Sequence, residues 1–179
     1  LIPYFHKKKI YKIDAVFLSH YDNDHSGALP SLLDNFNVKN VFDFNSIYPI
    51  KIGNITFNNL NTNTHDNDND NSVVLSFNFI NKDFLFMGDA SIKIEKEIIS
   101  NYPNLNCDIL KVGHHGSNTS TSNEFIKAVS PSEAIISVGK NFYGHPSDKV
   151  IDILNKNNVK IRRTDIEGTI SYKHYSFFV

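Results

Sequence analysis

Three observations predict an α/β layered domain. Short apolar runs of strand length alternate with stretches whose apolar residues recur at helical spacing, over most of the chain. The 179 residues correspond to one domain with room for a real core, read here as a single unit over 1–179 with no internal repeat or linker. A content of 40% hydrophobic and 21% charged residues fits a globular chain and excludes collagen-like, acidic-tail and fully disordered classes.

The elements follow in order. Asp14–Ser19 is an apolar run read as a buried strand that stops at His20. Ser26-Gly27 opens a helix over Ala28–Phe36, with Leu29, Leu32, Leu33 and Phe36 at helical spacing. Val41–Phe44 and Ile55–Leu60 are strand-like, and the Asn61–Asn71 stretch of Asn, Asp, Thr and one His reads as a solvated loop. Ser72–Ile80 and Phe84–Met87 flank a hairpin turn at Asn81-Lys82-Asp83. Ile92–Ile99 is helical with Ser91 as its cap, Cys107–Val112 is a strand, and Asn123–Val129 is a helix stopped by Pro131. Ala134–Val138 is a strand, and Ser147 caps a helix over Asp148–Asn155. Lys160–Arg163, Thr169–Tyr172 and Ser176–Val179 read as short terminal strands.

Charge and composition narrow the function. Lys and Arg total 18 against 19 Asp and Glu, a formal charge of −1, which argues against a protein held on DNA by bulk positive charge alone. The lone Cys107 excludes an internal disulfide and any cysteine-built zinc site. No apolar run reaches the ~18–20 residues that span a bilayer, and Leu1–His6 has no signal-peptide pattern. Eight histidines stand out against one Met, one Cys and no Trp.

The strongest local signal is Ser19-His20-Tyr21-Asp22-Asn23-Asp24-His25, in which His20, Asp22, Asp24 and His25 directly follow an apolar strand. Imidazole nitrogens and carboxylate oxygens suit Zn²⁺, Mn²⁺ or Fe²⁺, and residues alternating off a strand end can serve two metals. A polar turn rich in Asp and Asn is the ordinary reading of a lone His-x-Asp; four ligands at this spacing outweigh it. Met87-Gly88-Asp89-Ala90 places Asp89 after another strand, where open α/β sheets carry their ligand sites, although Gly-Asp alone is usually a turn. Gly113-His114-His115-Gly116-Ser117 follows a third strand, and two adjacent histidines cannot both face a core. Tyr143-Gly144-His145-Pro146 follows a fourth. All four signals share one position, the carboxyl end of a strand. His6 and His174 sit near the termini and read as solvated, and His65 lies in the Asn/Asp loop.

Taken together these residues resemble the metallo-β-lactamase superfamily, and within it the C-terminal hydrolase domain of ComEC-type DNA-internalisation competence proteins. The matching stretches are LSHYDNDHSGAL (Leu18–Leu29), DNDNSVVL (Asp68–Leu75), FMGDAS (Phe86–Ser91), DILKVGHHGSNTSTS (Asp108–Ser122), ISVGKNFYGHPSDKVIDIL (Ile136–Leu154) and RTDIEGTI (Arg163–Ile170). The resemblance implies a metallo-β-lactamase-like αββα sandwich with a site for two divalent metal ions, Zn or Mn, at one edge. Asp22 stands where the superfamily usually has a histidine, and no histidine occupies the usual place before the middle hairpin. The family's opening strands, with their Gly-Gln-Gly-Asp turn, are not matched, so the expectation is a domain lacking its first strands.

The resemblance also assigns roles. His20, Asp22 and His115 take one metal, Asp24, His25 and His145 the other, and Asp89 bridges them. His115 supplies the missing ligand and His114 faces the substrate as a proton donor, or the two exchange roles. Asp24, Asp89 and His114 form the catalytic set. Ser117, Asn118 and Thr119 are candidates to bond phosphate oxygens, as are Lys140 and Arg163, for which solvated surface charge is the ordinary reading. Phe142 and Tyr143 are candidates to stack bases, against ordinary loop packing. The implied activity is hydrolysis of a phosphodiester by a metal-activated hydroxide, with DNA, single-stranded, as the substrate during competence-related uptake. The implied partner and location are the membrane channel part of a larger bacterial competence protein. Competing readings are a hydrolase of a small or cell-wall phosphodiester, akin to a phosphocholine esterase, and a non-catalytic metal-binding domain; a closed four-ligand shell would mark the latter.

Overall fold

The computed structural model describes residues 2–173, so His174 and the strand expected over Ser176–Val179 lie outside the described residues. The chain opens with α1 (Ile2–Lys7), β1 (Lys12–Ile13) and β2 (Val16–Phe17). The strand expected over Asp14–Ser19 is therefore broken at Asp14, although Leu18 still donates its N–H to the Phe42 carbonyl at 2.8 Å. α2 (Asn23–Ser26) and α3 (Leu29–Asn35) lead to β3 (Asn37–Val38) and β4 (Val41–Phe42). β1 pairs with β3, and β2 with β4, as two small parallel sheets.

A larger sheet carries the rest. β5 (Ile50–Ile52), β6 (Ile55–Asn59), β7 (Leu75–Phe79) and β8 (Lys82–Phe86) form an antiparallel meander. The β7–β8 turn is made by Ile80 and Asn81, both at positive φ, one step earlier than the sequence predicts. β9 (Ile109–Lys111), β10 (Glu133–Ile136) and β11 (Lys160–Arg163) then add in parallel. The order is β11-β10-β9-β8-β7-β6-β5, a mixed seven-stranded sheet. Parallel neighbours require crossovers, and α4 (Ile92–Asn101), α5 (Asn123–Val129) and α6 (Asp148–Lys156) supply them. Ser91, Ser122 and Ser147 cap these helices by accepting backbone N–H bonds from Lys93, Phe125 and Val150.

Alternation along the strands splits the sheet faces. Leu85, Leu110, Ala134 and Ile136 join Ile94, Ile98, Phe125 and Leu154 in a core under the helices. Phe57, Phe77, Phe84 and Phe86 occupy the other face, where Phe17 of β2 packs on Phe57 with ring centroids 4.7 Å apart. The short α7 (Thr164–Glu167) follows β11, and no strand forms over Thr169–Tyr172. Tyr172 instead bonds Glu133 of β10 through its hydroxyl and sets its ring edge-on to Phe84 of β8, on the phenylalanine face of the sheet.

One loop adds detail to the sequence pattern. The Asn61–Asn71 segment is mostly exposed, as expected, but both of its ends are pinned to the domain. Asn61, only 3% exposed, donates from Nδ2 to the carbonyls of Asp70 and Ser72 at 2.7 and 2.9 Å. A 3₁₀ turn over Asn69–Asn71 follows, with Asp70 buried. Among the described residues, no helix is long and apolar enough to cross a membrane.

Candidate metal centre

The loops after β2, β8, β9 and β10 meet at one edge, which is where open α/β sheets place ligand sites. Asp89 stands at the centre and is buried. Its Oδ1 lies 3.2 Å from His25 Nε2, and its Oδ2 lies 3.7 Å from His114 Nε2 and 3.9 Å from His20 Nε2. Asp22 Oδ2 approaches His20 Nε2 at 3.5 Å. Asp24 Oδ2 lies 3.4 Å from His115 Nε2 and 3.7 Å from His25 Nε2. Asp24, His25, Asp89 and His115 each offer one ligand atom, and these atoms all lie within 4.8 Å of one another.

Those spacings match the donor set of a cation. Ligands ~2.0–2.2 Å from a tetrahedral Zn²⁺ stand about 3.3–3.6 Å apart. Among the described residues, the buried atoms His20 Nε2, His25 Nε2, His115 Nε2, His145 Nδ1 and Asp89 Oδ1 have no hydrogen-bond partner, and outside the cluster the same holds for His65 Nε2. Orphaned buried acceptors are costly unless something binds them, and a cation fits this set.

The opposite ring nitrogens are held. Ser19 Oγ lies 3.1 Å from His20 Nδ1 and 2.9 Å from His25 Nδ1, and Ser72 Oγ lies 3.3 Å from His20 Nδ1. Ser72 Oγ also accepts the Asp89 N–H at 2.9 Å. His115 Nδ1 donates to the Ser137 carbonyl at 2.7 Å. Ser19, Ser72 and Ser137 are absent from the sequence-predicted set. The signal for Ser19 is its place directly before His20; Ser72 and Ser137 lie within the matched stretches 68–75 and 136–154, but no neighbouring residue marks their role.

Backbone geometry aims the side chains. His114 and His115 both lie at positive φ, 47° and 54°, so adjacent rings diverge toward different Asp89 and Asp24 oxygens. Such residues cost of order 1–3 kcal/mol each and recur at functional sites. Gly88, at φ 56°, has no room for a side chain: an added Cβ would stand 2.7 Å from Ser72 Cβ and 2.9 Å from Ser19 Cβ.

The electrostatics keep Asp89 charged and disfavour protonation of His20 and His145. Burial pushes the Asp89 carboxyl up, but the His25 imidazole and the charges of His114 and His115 outweigh it and hold Asp89 at about 2. Burial, then the neighbouring His25, lowers His20 against the pull of Asp89, Asp22 and Asp24. His145 is lowered by burial and by His114 and His115.

The geometry groups the predicted residues differently from the expected pairing. His115 stands with Asp24 and His25 rather than with His20 and Asp22. His114, expected to face the substrate, reaches the Asp89 oxygen nearest His20. His145 sets its ring edge-on to His114, centroids 5.9 Å apart. Asn118, Thr119, Lys140, Phe142 and Tyr143 are exposed. Ser117 is buried with its hydroxyl bonded to Thr119 at 3.0 Å, and Thr119 Oγ1 in turn lies 3.4 Å from His114 Nδ1. Arg163 is held by Asp165 in a two-point ion pair at 3.0 and 2.6 Å. His65 packs apart from the cluster, near Glu97 and Lys93. An open cleft of about 270 Å³ borders His20 and is lined by Tyr21, Asp43, Asn45, Thr64 and Asn71.

This fold and its histidine–aspartate edge define a class. A model of the metallo-beta-lactamase superfamily matches residues 1–41 and 57–140, and the chain belongs to that superfamily. It is similar to ComE operon protein 3 of Bacillus subtilis (strain 168), 34% identical over 97% of this chain and 26% of that protein. Competence protein ComA of Neisseria gonorrhoeae is 29% identical over 96% of this chain and 27% of its own length. Recombination protein 2 of Haemophilus influenzae is 28% identical, over 95% and 23%. The chain thus spans about a quarter of the length of these relatives. A solved structure of a CmlA beta-hydroxylase mutant superposes with a TM-score of 0.52 at 11% identity, covering 85% of this chain and 43% of that one, a likeness of fold alone.

Proposed function

We propose that the chain is a metal-dependent phosphodiesterase that cleaves DNA, single-stranded, in competence-related uptake, as a domain of a larger membrane-associated protein. The observation that carries this reading is Asp89, whose two oxygens face two separate histidine–carboxylate groups. His20, Asp22 and His114 with Asp89 Oδ2 would hold one divalent cation; Asp24, His25 and His115 with Asp89 Oδ1 would hold the other. His145 borders the first group through His114. The link to DNA uptake rests on relatives named as competence and recombination proteins.

When bound, such a pair of cations supplies an activated water at neutral pH and positive charge for the oxygens of a phosphodiester. The chain's own residues prepare the site. Ser19, Ser72 and the Ser137 carbonyl orient the histidines so that lone pairs face inward. Thr119 positions His114, and Ser117 holds Thr119. Exposed Asn118 and Lys140 are free to meet phosphate oxygens. Arg163 is paired with Asp165, so a phosphate at this position would compete with that carboxylate.

The test is metal content and turnover together. Purified protein loaded with Zn²⁺ or Mn²⁺ should hold ~2 ions per chain and hydrolyse single-stranded DNA. Asp89→Ala should lose both. Turnover of bis(p-nitrophenyl) phosphate without any turnover of DNA would move the substrate to small phosphodiesters. Fewer than about one ion per chain, with Asp89→Ala as active as wild type, would overturn the metal-dependent mechanism.

A further inference from the structure

The loop between β10 and α6 ends in a rigid tip beside the candidate metal centre. The Asn141 side chain holds it. Its Nδ2 donates to the carbonyls of Gly139 and His145 at 2.9 and 2.7 Å, and its Oδ1 accepts from the N–H groups of Tyr143 and His145 at 3.0 and 3.1 Å. All four bonding positions of the amide are thereby used within one loop. The tip so fixed displays Phe142, which is 101% exposed, and Tyr143, which is 85% exposed. Tyr143 lies nearly parallel to the His145 ring at 6.1 Å and 25°. Lys140 is exposed one residue before Asn141.

Isolated apolar side chains on a surface are ordinary, but two adjacent aromatic rings held in water by a bonded loop, next to a candidate catalytic site, are a binding feature. We infer that Phe142 and Tyr143 form a base-stacking platform, with Lys140 as the cation for the adjoining phosphate, that seats single-stranded nucleic acid across the metal centre. This deepens, and rests on, the nuclease reading of the site. Stacking requires exposed base faces, which a duplex hides, so the platform selects single strands. The bonded loop means that its backbone need not be ordered on binding, and Tyr143 is already set against His145. A lipid surface fits less well, because interfacial anchoring uses a broad apolar face, whereas this tip has two rings flanked by Lys140 and Asn141, with Tyr143 turned onto His145. Asn141 is a positioning residue, acting through the loop.

The experiment is equilibrium binding by fluorescence anisotropy, with metal-free full chain and a labelled oligo-dT single strand, or a duplex of equal length. Phe142→Ala should weaken single-strand binding about fivefold or more, the lower range for one lost stacked base, and leave duplex binding unchanged. Phe142→Tyr should restore single-strand affinity. Asn141→Ala should weaken it too, with an unchanged thermal melt. Phe142 is exposed, so its variants are expected to fold, and circular dichroism checks this. No single-strand binding by wild type, or equal binding by Phe142→Ala, would overturn the platform. Loss of binding to phosphatidylglycerol vesicles in Phe142→Ala, with oligonucleotide binding intact, would overturn it in favour of a lipid contact. Because the assay is metal-free, failure here is distinguishable from failure of the hydrolysis test.

Discussion

His115 donates from Nδ1 to the Ser137 carbonyl oxygen at 2.7 Å. A carbonyl oxygen only accepts, so Nδ1 carries the proton and Nε2 presents its lone pair, 3.4 Å from Asp24 Oδ2. The end of β10 thus sets the ring carried by the loop after β9. The same device recurs at Ser19, whose hydroxyl touches the Nδ1 atoms of both His20 and His25.

Ser19→Ala should therefore keep the fold and weaken metal binding by roughly 10–100-fold, the usual cost of losing a partner behind a ligating histidine. Competition with a chromogenic chelator for Zn²⁺ measures it. An unchanged binding constant would remove Ser19 from the centre's support.

Gly88→Ala should do more damage than its one methyl group suggests. The position lies at φ 56°, and the new Cβ would collide with Ser72 and Ser19, the two hydroxyls that hold His20. Backbone strain alone costs of order 1–3 kcal/mol. At about 2–4 °C per kcal/mol for a chain of this size, the melting temperature should fall by several degrees. Metal content should fall with it. A melt and metal content equal to wild type would show that the loop opens freely.

How much of this was readable from the sequence depends on whether the cause is local. The four candidate loops were legible because each follows an apolar run and carries His or Asp where a strand ends. The capped helices were legible because Ser91, Ser122 and Ser147 precede helical periodicity. The grouping of the His and Asp side chains around Asp89 was not. His114 and His115 are adjacent and alike in sequence; what separates them is a left-handed turn secured by Ser137, 22 residues away. Asn61 looks like its Asn-rich neighbours, yet it is the one that bonds the Asp70 and Ser72 carbonyls across its loop. Thr169–Tyr172 has the apolar alternation of a strand, but Tyr172 finds Glu133 and Phe84 on the sheet face.

Glu95 of α4 supports the backbone from behind. It is buried, and its carboxylate accepts the N–H groups of Thr121 and Ser122, the latter at 2.8 Å. Thr121 lies at φ 63°, just before α5, so Glu95 anchors a left-handed residue. Glu95→Gln replaces one acceptor oxygen by an NH₂ group facing a backbone donor. The expected loss is about 1–3 kcal/mol of stability, the cost of an unsatisfied buried group. Urea denaturation measures it, and an unshifted midpoint would show that the carboxylate is not needed.

Lys111 of β9 ends at a cavity of about 210 Å³ that is also lined by Phe17, His25, Leu75 and Phe86. Burial pushes its ammonium below the ordinary 10.5, and the charge of Asp89 offsets this only in part. The folded state therefore releases this proton more readily than the unfolded chain. A folded value below the unfolded one means that the charged lysine destabilises the fold at neutral pH. The penalty is relieved as pH rises through the folded value toward 10.5. Lys111→Met keeps the stem and removes the charge, so the metal-free variant should melt higher than wild type at pH 7. The difference should shrink as the pH is raised toward 10. Paired melts of wild type and variant across that range test the sign, and a gap that widened with pH would show that the lysine charge is stabilising.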